Sequence, residues 1–123
     1  MTTDSNLVLV IEDDTTIVEL LRAVLTDEGY DVRVAASGDQ ALDNPSPIAP
    51  AVTVLDMHVP GASGKQLADG LRAKYGADLP ILLVSASNMD EEALTLGAYE
   101  YVSKPFDLED LLAAIRRGMA HAS

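Results

Sequence analysis

The groups able to do chemistry in this 123-residue chain sit in four places: the acidic run Glu12-Asp13-Asp14, then Asp56, Ser85 and Lys104. Each follows a short, mostly aliphatic stretch. Leu7 to Ile11 stops at Glu12, Val52 to Leu55 at Asp56, Ile81 to Val84 at Ser85, and Tyr99 to Val102 runs out just before Lys104. Carboxylates with no Cys or His cluster beside them are hard oxygen donors, and these suit Mg2+, which takes octahedral oxygen geometry and keeps several waters. Phosphoryl transfer asks a protein mainly for positioning and charge stabilisation, so its minimal kit is an oxygen nucleophile, a metal, a cation and a hydroxyl donor. The chain carries a candidate nucleophile, metal ligands, a cation and a hydroxyl.

Taken one at a time, these groups have plainer readings. Glu12-Asp13-Asp14 would serve as an acidic helix start, favoured by capping and by the helix dipole. Asp56 and Ser85 alone are strand-end polar residues, and Lys104-Pro105 alone is a turn. The chemical reading rests on their occurring together, in order, at four strand ends. In doubly wound sheets the ligand site lies outside the carboxyl ends of the strands. If the first and third strands are neighbours, a spacing of about 5 Å brings Glu12, Asp13 and Asp56 close together, and a cation must relieve their repulsion.

The elements that hold these groups follow from hydrophobic spacing. Leu7 to Ile11 shows no alternation, as expected of a strand buried on both faces of a parallel sheet. Ile17, Leu20, Leu21, Val24 and Leu25 recur at helical spacing and form a core-facing stripe, with Asp14 or Thr15 to cap the start and Gly29 to end the helix. Further strands are expected at Val32 to Ala35, Val52 to Leu55, Ile81 to Val84 and Tyr99 to Val102. The third helix is expected from about Ser63 to Tyr75 and the fourth from about Asp90 to Leu96. The fifth carries Leu108, Leu111, Leu112, Ile115 and Met119 on one core-facing side. Pro45, Pro47 and Pro50 make Asn44 to Ala51 irregular and leave only Gly38 to Asp43 for the second helix. Strands alternating with helices predict an α/β fold with a parallel sheet, right-handed crossovers and helices on both faces.

Composition agrees with that fold and narrows the function. The length suits a single domain over residues 1–123, with no output domain. Apolar residues make up 48% and aromatics 4%, without Trp, so the core is built from Val, Leu, Ile and Ala. Twenty acidic against 8 basic side chains give a formal charge of -12, a field that repels phosphate backbones and argues against direct nucleic-acid binding. With no Cys there is neither a disulfide framework nor a thiol nucleophile. Met1 to Asn6 lacks the pattern of a signal peptide and no apolar run is long enough to span a membrane, so a cytoplasmic protein is expected.

Four blocks carry a family resemblance. They are Leu7-Val8-Leu9-Val10-Ile11-Glu12-Asp13-Asp14, Leu55-Asp56-Met57-His58-Val59-Pro60-Gly61-Ala62-Ser63-Gly64, Pro80-Ile81-Leu82-Leu83-Val84-Ser85-Ala86, and Gly97-Ala98-Tyr99-Glu100-Tyr101-Val102-Ser103-Lys104-Pro105-Phe106. Over roughly residues 7 to 119 the chain resembles the receiver domains of two-component response regulators, the CheY-like superfamily. The resemblance implies a flavodoxin-like (βα)5 fold with a doubly wound five-stranded sheet in the order 2-1-3-4-5. It implies that Asp56 accepts a phosphoryl group from a sensor histidine kinase or phosphotransfer protein. Asp13 and Asp56 would ligate Mg2+ directly, Glu12 through water, and His58 through its backbone carbonyl.

Ser85 and the backbone amide of Ala86 would contact the phosphoryl group, Lys104 would pair with it, and Lys104-Pro105 would be a cis peptide. The Ser85 hydroxyl and the Tyr101 ring would move together as the switch. They would reshape the surface of the fourth helix, fifth strand and fifth helix for a downstream protein, as a monomer or as a phosphorylation-dependent dimer. The side chains of His58 and Ser87 would influence how fast water reaches the aspartyl phosphate. Asp14 would cap the first helix, His121 gets no role, and Tyr99 is read as a surface or partner contact.

The chain departs from the family pattern at Ser85, where threonine is commoner, and at Ala51, where aspartate is frequent. The proline-rich stretch also takes the place of much of the second helix. Other readings remain beside the switch. One is a receiver used as a static interaction module. The other is a Mg2+-dependent phosphatase or nuclease, which the spacing disfavours because neither an Asp-x-Asp after the first strand nor one after a later strand is present. Acting on itself, the chain would be a signalling protein and not a turnover enzyme.

Overall fold

Five short segments form one parallel sheet in the computed structural model, which describes residues 6–43, 47–57, 61, 63–85 and 96–122. They are β1 (Leu7–Ile11), β2 (Asp31–Ala35), β3 (Val52–Asp56), β4 (Ile81–Ser85) and β5 (Glu100–Ser103), in the order β2-β1-β3-β4-β5. This is the flavodoxin-like order expected above. Every residue of β3 and β4 is buried, which is why neither alternates polar with apolar residues. The edge strands β2 and β5 are mostly half-buried.

Helices cover both faces. The first, α1 (Thr15–Asp27), starts at Asp14, whose Oδ1 accepts from the amides of Thr16 at 2.9 Å and Ile17 at 3.4 Å. Asp14 is therefore the cap, as one of the two expected alternatives. Helix α2 (Gly38–Asp43) is as short as the prolines require, and α3 (Gly64–Tyr75) opens with a reciprocal capping box between Ser63 and Gln66. The C-terminal helix, α4 (Leu108–Ala122), completes the set among the described residues. The helix expected over Asp90 to Leu96 lies outside the described residues except for Leu96, as do residues 44–46 of the proline-rich stretch.

Two apolar layers flank the sheet. Leu9, Ile11, Leu55, Ile81 and Leu83 face α2 and α3 through Ala41, Leu67, Ala68 and Leu71. Val8, Val10, Val52, Val54, Leu82 and Val84 face α1 and α4 through Leu21, Leu25, Leu111, Ala114 and Ile115. Two expectations are corrected here. Leu20 is 44% exposed, because it stands about 100° around the helix from Leu21 and falls off the edge of the buried stripe. Tyr99 is no simple surface residue: its ring packs into the second layer and its hydroxyl donates to the Ala114 carbonyl of α4 at 2.7 Å.

Candidate functional site

The candidate residues stand on backbone that is already tied down. The amide of Glu12 donates to Ala35 O at 3.0 Å, that of Met57 to Val84 O at 3.0 Å, and that of Lys104 to Ser85 O at 2.6 Å. These bonds carry the sheet ladder one residue beyond the strand ends, so the side chains at the carboxyl edge project from a rigid base. Asp56 pairs in register with Val84, and Ser85 is the next residue of the same strand.

The structure brings four of the expected groups together. One carboxylate oxygen each from Glu12, Asp13 and Asp56 lies within 4.8 Å of the other two. Lys104 Nζ donates to Asp56 Oδ2 at 2.8 Å and to Glu12 Oε1 at 3.3 Å. Glu12 and Asp56 are buried, at 4% and 2% exposure, whereas Asp13 faces solvent. Ser85 is buried at the adjacent strand end. The Lys104–Pro105 peptide is cis. Tyr101 is half-buried against the layer that holds Ile11, Leu55 and Leu83. His58, Ala86 and Ser87 lie outside the described residues.

Burial sets the electrostatics. It pushes the Glu12 carboxyl up to about 7, and the hydrogen bond and charge of Asp56 push the same way, against the Asp14 amide and Lys104. The Asp14 amide donates to Glu12 Oε2 at 3.1 Å. Burial works to lower Lys104, but its hydrogen bond to Asp56 and the two carboxylate charges outweigh this and raise it above the ordinary lysine value. Lys104 is thus a fixed cation at neutral pH, set against more negative charge than it can balance alone. The three convergent donors are all carboxylate oxygens, a set that fits a hard divalent cation and no soft one.

The direct Glu12–Lys104 pair is absent from the sequence reading, which gave Glu12 to the metal alone. The two residues are 92 positions apart, and only the shared neighbour Asp56 hints that they meet.

Fold and site together define a receiver-type α/β domain, and comparison with known proteins agrees. The model of the response regulator receiver domain family matches residues 8–116, and the chain belongs to that family. It is 40% identical over 112 residues to the response regulator MprA of Mycolicibacterium vanbaalenii, covering 89% of this chain and 48% of that protein. The chain thus spans about half the length of the curated relatives it matches. Among solved structures it resembles the non-phosphorylated HemR receiver domain from Leptospira biflexa, with a TM-score of 0.81, 31% identity, and coverage of 92% and 93% of the two chains. It also resembles the receiver domain of the sensor histidine kinase PA1611 from Pseudomonas aeruginosa, solved with a magnesium ion coordinated in its active site cleft. There the TM-score is 0.81 and the identity 25%, over 94% and 98% of the two chains. No helix among the described residues is long and apolar enough to cross a membrane.

Proposed function

We propose that this receiver domain is a phosphorylation-dependent switch in which Asp56 is the phosphoryl acceptor. The observation that carries the reading is the buried Asp56 carboxylate, held 2.8 Å from the Lys104 ammonium and grouped with the oxygens of Glu12 and Asp13. An Asp56 oxygen attacks the phosphorus of a phosphohistidine on a histidine kinase or phosphotransfer protein. The O–P bond forms as the P–N bond breaks, and the leaving imidazole takes up a proton. Lys104 offsets the charge of the incoming phosphoryl oxygens, and the Ser85 hydroxyl and the Ala86 amide donate to them.

Asp13 and Asp56 directly, Glu12 through water and the His58 carbonyl would hold Mg2+, which when bound neutralises the crowded oxygens and orders the transferring group. The magnesium ion in the PA1611 receiver domain supports this assignment. The Ser85 hydroxyl then turns toward the phosphoryl group and Tyr101 follows, altering the face formed by β5 and the C-terminal helix, to which the family resemblance adds a fourth helix. A downstream protein reads that face, or a second copy does. The unit that switches covers about residues 7–119 and works in the cytoplasm, without direct contact to nucleic acid.

The test is intact mass after incubation with acetyl phosphate, with Mg2+ or with chelator, for the wild type and Asp56→Asn. The expected result is a Mg2+-dependent gain of one phosphoryl group that is labile to hydroxylamine and absent from the variant. No gain from acetyl phosphate, followed by none from a phosphorylated histidine donor, would leave a static module in place of the switch.

A further inference from the structure

Outside the acidic site, one side chain ties α3 to the segment that leads into β5. Arg72 stands in the last turn of α3. Its Nη1 donates to the Leu96 carbonyl, and its Nη2 donates to the Gly97 carbonyl at 2.9 Å. Gly97 has a φ of +71°, and a Cβ there would sit 3.2 Å from Arg72 Nη2, so the guanidinium occupies the space a side chain would take.

Leu96 is held a second time, through its side chain. It is 4% exposed. Its Cδ1 lies 3.6 Å from the point where a Cβ on Gly64 would stand, a point that Met57 Cε and Sδ already crowd at 2.6 and 2.7 Å. Met57 directly follows Asp56. Leu96 thus shares one apolar layer, beside Gly64, with the neighbour of the acceptor, and Gly97 leads on toward β5. Just beyond it, the Tyr99 amide donates to Ile81 O at 3.1 Å and the Tyr99 hydroxyl to Ala114 O at 2.7 Å. The segment entering β5 is therefore fixed from α3, from β4 and from the C-terminal helix, while Tyr101 follows as the second residue of the strand and Ser103, at its far end, leads to Lys104.

A packed element passes on a displacement only if its far end cannot give way. We infer that Arg72 is a positioning residue for the switch: by pinning Leu96 and Gly97 it makes a change beside Asp56 appear at Tyr101 instead of being absorbed at the base of β5. The inference rests on the switch reading above. A purely structural cap would predict lost stability with the response of Tyr101 intact, and this difference is what the test reads.

The test uses the whole chain labelled with 15N, with beryllium fluoride and Mg2+ as a stable mimic of the aspartyl phosphate. Arg72→Met keeps the aliphatic stem and removes both hydrogen bonds. It should take a phosphoryl group from acetyl phosphate at a rate within about twofold of the wild type. The displacement of the Tyr101, Val102 and Ser103 amide resonances on adding beryllium fluoride should shrink by about threefold. Wild-type displacements in this variant, with the Gly97 amide shifted, would overturn the role. Should the methionine variant fail to fold, Arg72→Lys keeps the charge but can hold only one carbonyl well; reduced displacements would support the role and full ones would overturn it. If the wild type neither takes phosphate nor moves with beryllium fluoride, the switch reading itself is what fails.

Discussion

At the carboxyl end of the sheet like charges crowd together in the interior, whereas at the amino end side chains meet backbone carbonyls or, nearer the surface, opposite charges such as Glu100 and Arg117. Glu12 and Asp56 are buried with a single ammonium between them, and Asp13 adds a third carboxylate from the solvent side. At the other end Asn6 Nδ2 donates to Gly29 O at 2.6 Å, Arg72 to Leu96 and Gly97, and Tyr99 to Ala114. The neutral hydrogen bonds of Asn6 and Tyr99 stabilise by about 1 kcal/mol each, and those of the charged Arg72 guanidinium by about 1.5 to 3 kcal/mol. Buried like charges do the opposite, and they persist because the site needs them. Substitutions at the amino end should move the melting transition and leave phosphorylation alone, whereas those at the carboxyl end should move phosphorylation together with the balance of the buried charges.

The largest effect that would sharpen this contrast is expected from Lys104→Met. It removes the cation and leaves Glu12 and Asp56 buried and unbalanced, at a cost of about 3 kcal/mol without metal at pH 8. Phosphoryl uptake from acetyl phosphate should fall by about 100-fold. The loss of stability should be smaller at pH 5. Burial holds the Glu12 carboxyl at about 7 in the folded chain against an ordinary value of 4.5, so that burial costs nothing below the lower value and is fully felt above the higher one. Metal-free wild type should therefore lose stability as pH rises across that window. Urea titrations in chelator at both pH values, with intact mass for uptake, check these points. Equal stability of variant and wild type at pH 8 would break the contrast.

Next in size is Gly118→Ala at the opposite end. A Cβ at Gly118 would stand 2.3 Å from the Tyr99 hydroxyl oxygen and 2.7 Å from Val52 Cγ2. Alanine gains about 1 kcal/mol of helix propensity. Val52 is fully buried and the Tyr99 hydroxyl is held by Ala114, so neither neighbour gives way easily, and a net loss of about 2 kcal/mol is expected. Phosphoryl uptake by the folded variant should match the wild type. Adding Tyr99→Phe removes the closest contact and should restore part of the stability. Impaired uptake at full stability would show that the two ends are not separable.

The sequence makes the carboxyl end easier to read than the amino end, for a physical reason. A buried strand must be apolar on both faces, so a charged residue at its end stands out, as Glu12 and Asp56 do, whereas Ser85 and Lys104 are read from standing with them at the ends of the neighbouring strands. At the amino end the same signal is absent. Arg72 reads as a basic residue favoured by the end of α3, and nothing along the chain says that its partners are 24 and 25 residues away. Gly118 does carry a signal, since a glycine inside a helical pattern asks for a close neighbour, yet it does not name Tyr99 as that neighbour. Leu20 misleads for a related reason: helical spacing defines a stripe but not where its edge meets solvent.

The smallest expected effect is also the most discriminating, because its sign differs from the others. Asp13 is the solvent-facing member of the cluster, so its repulsion of Glu12 and Asp56 is partly screened. Asp13→Asn should leave the metal-free protein as stable as the wild type or up to about 1 kcal/mol more stable. Binding to the folded state alone stabilises by linkage, so Mg2+ at about 100 times its dissociation constant should add about 2.7 kcal/mol to the wild type. If Asp13 is a direct ligand as proposed, most of that increment should vanish from the variant, together with Mg2+-dependent phosphorylation. Thermal melts of both proteins in chelator and in Mg2+ separate the two terms. A clearly lower melting temperature for the variant in chelator would mean that Asp13 is a net stabilising residue, and the carboxyl end would then be no more strained than the amino end. A variant that melts as high or higher in chelator and no longer responds to Mg2+ would show that the three carboxylates are held together against their own repulsion for the ion they share.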